Sequence, residues 1–235
     1  MNSPRTNRVL QILALVSSSP KPTLLKEITA ALGVHPSMVS RMTADLIEAG
    51  LLTKVTYRSV IATPALALIG QRAAKNHPAA QIALPLLRTR TKELGYTCEF
   101  ATLTSMGLYH FYHVLRETPA ASVPLWRSDP AAVCMAAEKM SKEECLEYLT
   151  RVNAPEQGIA FFMERFEAAS QTQILQNRHQ GRFWQLTAPL ICGDLVCALS
   201  FAGVSTADME KAEFEVARAA MQIRSAYKEF AEGNA

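Results

Sequence analysis

The chain has 235 residues, 24 Lys/Arg against 21 Asp/Glu for a net charge of +3, and 49% apolar residues. That is enough for two modest domains with real cores. It holds no run of eighteen apolar residues, and its opening MNSPRTNRVL does not read as a secretory leader, so a soluble, cytoplasmic protein is expected. Five cysteines (Cys98, Cys134, Cys145, Cys192, Cys197) are odd in number and lack CxxC spacing, which suits buried thiols in a reducing compartment.

Val9, Ile12, Leu13 and Val16 mark a first amphipathic helix, ended by Ser17-Ser18-Ser19-Pro20. Residues 24–49 then read as two helices hinged at one glycine. Leu25, Ile28 and Leu32 form one apolar stripe, and Val39, Met42 and Leu46 another. Gly33 accepts the backbone reversal between them, and Pro36 is tolerable only in the first turn of the second helix. That second helix sends Ser37, Ser40, Arg41 and Thr43 outward. The layout is that of a helix-turn-helix whose second helix lies in the DNA major groove. A plain αα-hairpin would share this pattern, so the flanking sequence has to decide.

Gly50 closes the second helix, and Leu51 to Ala62 alternates with β-branched residues as a hairpin would. Three helices and a hairpin make a winged helix-turn-helix. Its wing falls around Thr56 to Ser59, with Lys54 and Arg58 placed for phosphates, although no Asn-Gly or Asp-Gly marks the tip. Charge agrees with a DNA partner. Residues 1–77 hold nine basic side chains (Arg5, Arg8, Lys21, Lys26, Arg41, Lys54, Arg58, Arg72, Lys75) against three acids (Glu27, Asp45, Glu48), a net of +6. The rest carries fifteen basic and eighteen acidic groups, a net of −3. A basic module attracts the phosphate backbone independently of sequence.

Thr63-Pro64 opens a linker helix that Asn76-His77-Pro78 stops, and its apolar side is suited to a partner subunit. Ala79 to Leu94 reads as a helix, kinked or divided at Pro85. Thr97 to Leu103 and Leu108 to Leu115 alternate as strands around Ser105-Met106-Gly107. Helices are expected over Pro130 to Lys139, over Ser141 to Arg151 from a capping box, and over Gly158 to Asn177. Strands follow over Phe183 to Ile191 and Leu195 to Ala202, turning at Cys192-Gly193-Asp194. A last helix runs from Thr206 or Asp208 to Phe230. The fold class is therefore α+β, with an antiparallel sheet covered by helices in the second half.

The segments RVLQILALV, EITAALGVHPSMVSRMTADLIEAGLL and LTAPLICGDLVCALSFAG, with the linker helix between them, resemble in order and spacing the IclR family of bacterial transcriptional regulators. The resemblance covers nearly the whole chain. It implies a winged helix-turn-helix at 1–63, a linker helix at 64–78, and a GAF-like effector-binding and oligomerisation domain at 79–235. It also implies dimers or tetramers on palindromic operators, repressing or activating genes often concerned with organic acids. Ser37 and Arg41 match the family's recognition-helix positions, with His35, Met38 and Ser40 behind them; Thr43, Lys54 and Arg58 complete the expected DNA surface. Thr29 stands where the family usually has alanine.

In the effector half, the family segment P-L-H-A-T-A-x-G-K-A falls on 124–133, where Ala131 and Ala132 replace its glycine and lysine and Trp126 a polar residue. Family members use the free N–H groups of the helix opened there to hold a carboxylate. Here Asp129 is positioned to cap that helix and Pro130 removes a donor; Arg127 is either compensating charge or plain surface. Gln185 and Ser200 align with pocket positions, and Ala202 replaces a common serine. The expectation is a small, aromatic pocket formed by Phe100, Phe111, Trp126, Ser128, Asp129, Gln185 and Ser200, with Trp184 beside them, for an organic acid or aromatic effector. The same replacements fit a degenerate domain that binds no ligand and serves oligomerisation or partner binding.

His110 and His113, three apart on one strand, point to opposite faces and make a poor metal pair. Cys192 and Cys197 across the last hairpin would form a redox sensor only in an electropositive, partly exposed site. No Ser-His-Asp spacing, phosphate-binding glycine loop or HExxH motif is present. No metal or cofactor is expected, and an enzyme with an appended winged helix is disfavoured.

Overall fold

The computed structural model describes residues 4–104, 107–113, 125–152, 154–179, 183–204 and 208–233. It divides into two compact units, 1–75 and 76–235. The expected turn at Ser105-Met106, the strand end at Val114-Leu115, Pro124 and Thr206 lie outside the described residues.

The first unit runs α1 (Pro4–Ser18), β1 (Thr23–Leu24), α2 (Leu25–Leu32), α3 (Pro36–Glu48), β2 (Leu52–Thr56), β3 (Ser59–Ala62) and α4 (Pro64–Asn76). The apolar stripes meet in one core of Ile12, Leu13, Val16, Ile28, Val39, Met42, Leu46, Leu52 and Val60. Each fully buried aliphatic side chain contributes ~1.5–3 kcal/mol. Glu27 accepts the Leu24 N–H at 2.9 Å, starting α2 where a leucine cap cannot. Gly33 stops it at φ +61°, its N–H bonded to the Thr29 carbonyl. The antiparallel sheet has the order β1-β3-β2. At its tip the Thr56 hydroxyl accepts the Arg58 N–H at 3.2 Å and lies 2.7 Å from the Ser59 hydroxyl, so side-chain bonds close the turn without an Asn-Gly pair. The two-residue β1 had no pattern of its own.

The second unit contains α5 (Pro78–Leu94), β4 (Thr97–Thr104), β5 (Gly107–His113), a 3-10 turn (Leu125–Arg127), α6 (Asp129–Ala137), α7 (Lys142–Arg151), α8 (Glu156–Gln171), β6 (Leu175–His179), β7 (Phe183–Cys192), β8 (Leu195–Gly203) and α9 (Met209–Gly233). α5 is a single helix that passes through Pro85. α8 ends at Gln171, where a helix to Asn177 was expected; the chain turns out and β6 pairs with β7 from Leu175↔Thr187 to His179↔Phe183.

The five strands are antiparallel in the order β5-β4-β8-β7-β6. Strand alternation gives the sheet two faces. One carries Cys98, Phe100, Trp184, Leu186, Ala188, Leu190, Leu199 and Phe201 into a core shared with α5 and α9. The other, with Ala198 and Leu175, meets Val133 and Cys134 of α6, and α6 packs in turn on α7 and α8. The result is three layers, helices on both faces of one sheet.

Candidate nucleic-acid interface and ligand site

In the first unit, the buried side of α3 (Val39, Met42, Thr43, Leu46) fixes which residues face out. Ser37, Ser40 and Arg41 are exposed, as expected, and Ala44 continues their row one turn on. His35 is exposed and caps α3: its Nδ1 accepts the Ser37 N–H at 3.3 Å and lies 2.8 Å from the Ser37 hydroxyl. The Arg41 Nε donates at 3.4 Å to the Ser37 carbonyl one turn earlier. Of the other expected DNA contacts, Thr43 needs correction and Met38 is only partly available. Thr43 is 2% exposed and donates to the Val39 carbonyl at 2.6 Å, so its hydroxyl is spent inside the helix. Met38 is half-buried against the core, with its sulfur accepting from Arg8 at 3.3 Å, and lies at the edge of the outward row.

At the wing, Lys54 and Arg58 are both exposed. The Arg58 guanidinium lies over the Tyr57 ring, 4.7 Å from its centroid, and Tyr57 is itself 75% exposed. Neither Tyr57, which the sequence offers only as part of the hairpin's alternation, nor Ala44 is among the expected contacts; position on an element, not residue chemistry, singles them out.

In the second unit the sheet register separates the expected ligand residues. Glu99↔Ser200, Thr187↔Ser200 and Gln185↔Ala202 place Glu99, Gln185, Thr187 and Ser200 on the face toward α6. His110, paired with Ala101, and Asn177, paired with Gln185, join them. Phe100, Phe111 and Trp184 do not. Phe100 pairs with Leu199 on the opposite face, is fully buried, and stacks on Phe111 at 5.2 Å. Trp184 packs edge-on against Tyr96 in the same α5/α9 core. These three expected pocket residues are core.

The α6 face carries a bonded polar floor. The His110 Nδ1 lies 2.8 Å from a Glu99 oxygen, and the Gln185 amide is 3.5 Å from the other. Thr187 and Ser200 hydroxyls are 2.8 Å apart and buried. Ser128, not Asp129, caps α6, accepting the Ala131 N–H at 3.3 Å. Asp129 is 2% exposed at the first helical position and bound from two sides: Arg165 Nε donates at 2.5 Å and Asn177 Nδ2 at 2.9 Å. Arg165 is held in turn over the Phe161 ring at 3.6 Å. The positive end of α6 thus already has its anion, and that anion its own cation. Trp126 packs closely on Gly158, where an added Cβ would sit 2.7 Å from the indole, and the exposed Arg127 holds its guanidinium 4.7 Å from the Trp126 ring centroid. Glu99, His110, Arg165 and Asn177 come from four different elements, so no spacing in the sequence announces them.

A separate open hollow of about 570 Å³ lies between α5 and α9, lined by Ile82, Pro85, Leu86, Thr89, Arg90, Glu93 and Gln222; none of the expected ligand residues borders it. All five cysteines are buried and free. Burial pushes the Cys98 and Cys145 thiols up to about 11 and Cys134 to about 12. The Cys192–Cys197 hydrogen bond raises Cys197, with burial adding to it, and lowers Cys192. Both are fully buried, so the exposure that a redox sensor requires is missing. Among the described residues, no group of three or more His, Cys, Asp or Glu could hold a metal ion, and no helix is long and apolar enough to cross a membrane.

Residues 6–56 match the IclR helix-turn-helix domain. No curated relative matches the chain in sequence. Its fold is that of solved IclR regulators. An IclR family transcriptional regulator from Brucella abortus superposes with TM-score 0.71 at 17% identity, covering 97% of this chain and 93% of that one. A regulator of the same family from Alicyclobacillus acidocaldarius gives 0.63 at 16%, covering 97% and 100%. An IclR homolog from Microbacterium hydrocarbonoxydans, complexed with 4-hydroxybenzoate, gives 0.60 at 14%, covering 95% and 99%.

Proposed function

We propose that this chain, which carries an IclR helix-turn-helix domain on the fold of the IclR-family transcriptional regulators, is a bacterial cytoplasmic regulator whose second unit senses a small molecule and adjusts operator binding. The domain and the fold are those of transcriptional regulators and not of an enzyme. One observation carries the DNA half. α3 buries one side in the core and leaves Ser37, Ser40 and Arg41 exposed in a row on the other. His35 at the helix start and Lys54 and Arg58 on the wing belong to the same surface, the latter two as phosphate contacts. The functional division is 1–63 for DNA, 64–78 for the linker helix and 79–235 for sensing and oligomerisation. No residue of α4 is buried, and Leu68 and Ile69 are 48% and 57% exposed; this uncovered apolar side supports a homodimer, or a tetramer of such dimers, in which a second copy of the chain covers it.

For the sensing half, the floor of Glu99, His110, Gln185, Thr187 and Ser200, joined to Asp129 of α6 through Asn177, supports an organic acid or aromatic effector. 4-Hydroxybenzoate, found in the Microbacterium homolog, has both characters and is the first probe. A rise in melting temperature with 4-hydroxybenzoate or another member of an aromatic and organic-acid panel supports sensing. No rise with any member favours the second reading, a domain without a ligand that serves oligomerisation or partner binding. The closed Asp129–Arg165–Asn177 cluster and the fully buried Ala131 and Ala132 favour that second reading.

A further inference from the structure

The outward side of α3 carries one residue that charge and hydrogen bonding leave without a task. With Val39, Met42, Thr43 and Leu46 buried, the exposed residues over the first three turns are Pro36, Ser37, Ser40, Arg41, Ala44 and Asp45. Ser37, Ser40, Arg41 and Ala44 stand at i, i+3, i+4 and i+7, one helical stripe. A recognition helix reads bases with its N-terminal turns. Asp45 and Glu48, exposed at the far end, carry charge that phosphates repel, so the helix is expected to enter the groove by the end that holds this stripe.

Within the stripe, the two serines accept or donate to many partners and discriminate weakly, while Arg41 offers a fork suited to guanine. Ala44 offers only a methyl group. In the major groove the one apolar group of any base is the C5-methyl of thymine. Arg41 and Ala44 are three apart on the helix, ~5–6 Å between Cβ atoms, against a rise of ~3.4 Å per base pair. We propose that Ala44 reads a thymine methyl one or two base pairs from the base pair contacted by Arg41. This rests on the DNA-reading assignment above and adds to it a specificity-determining contact in place of Thr43.

The 235-residue chain is used to enrich bound duplexes from a random pool, and each thymine of the enriched site is then replaced singly by uracil, which removes only the methyl. The expected result is one thymine, one or two base pairs from the guanine that Arg41 contacts, whose replacement weakens binding about fourfold, the worth of ~0.8 kcal/mol for one buried methyl-sized group. In Ala44→Gly that thymine and its uracil counterpart bind equally, and the other thymines respond as in wild type. Ala44→Ser, which keeps the helix better than glycine, removes the preference as well; melting curves of both variants check folding. A uracil scan with no sensitive position overturns the inference and leaves the DNA assignment standing. So does a sensitive position that stays sensitive in both variants. A pool that yields no enriched sequence overturns the DNA assignment itself, and this contact with it.

Discussion

α3 and α6 both open on a side-chain cap followed within two residues by proline: His35 and Pro36 in one, Ser128 and Pro130 in the other. Around α3 the outward row is exposed, and among the described residues its one arginine bonds only along its own helix. Around α6 every residue from Asp129 to Met135 is buried, and the carboxylate at its first turn is neutralised by Arg165 and accepts a hydrogen bond from Asn177. Equivalent start signals therefore give one helix end free to meet an outside anion and one that supplies its own. Local chemistry starts a helix; burial decides whether its end is available to a partner.

Removing the internal anion should have the largest effect. Asp129→Ala leaves the mostly buried Arg165 without its counter-charge, and loss of one member of such a pair costs about 3–5 kcal/mol, read by urea unfolding. The double variant Asp129→Ala/Arg165→Met should recover much of that loss. A cost below ~1 kcal/mol for the single variant would mean that α6 does not depend on the cluster. Next in size is Gly158→Ala, which drives a methyl into the Trp126 indole and should cost about 1–3 kcal/mol, with a change in tryptophan emission. Unaltered emission and stability would show that Trp126 is not seated on α8.

Smaller effects probe the open side. Replacing Lys54 or Arg58 by alanine should weaken binding to all duplexes alike and lower the salt slope by about one per residue. A slope equal to wild type removes the wing from the interface. Thr43→Val, which swaps a hydroxyl satisfied within its own helix for a methyl of similar shape, should leave operator affinity within about twofold. A large loss would return Thr43 to the reading surface.

Much of the first unit was legible because its elements carry their own periods: Val9 to Val16, Leu25 to Leu32 and Val39 to Leu46 meet in one core. β6 was not, because LQNRH neither alternates nor favours a strand; pairing with β7 makes it one. Thr43 was misjudged by one position in a 3.6-residue period, with Ala44 holding the outward place. Phe100, Phe111 and Trp184 were misplaced for a similar reason. A strand's side chains alternate, so the face depends on parity, and the irregularity between Phe100 and Ala101 shifts the register with β5. The α6-face floor could not be read at all from spacing. Glu99, His110, Arg165 and Asn177 stand on β4, β5, α8 and β6, and only the sheet order and the α6 layer bring them together.

Most decisive is capture of genomic DNA fragments by the 235-residue chain and by its Arg41→Ala variant, with melting curves confirming that both fold. The expected result is a small set of fragments sharing one sequence, bound about five- to 160-fold more weakly by the variant, the ~1–3 kcal/mol of a specific arginine–base contact. Equal capture of the same fragments by both proteins would contradict it.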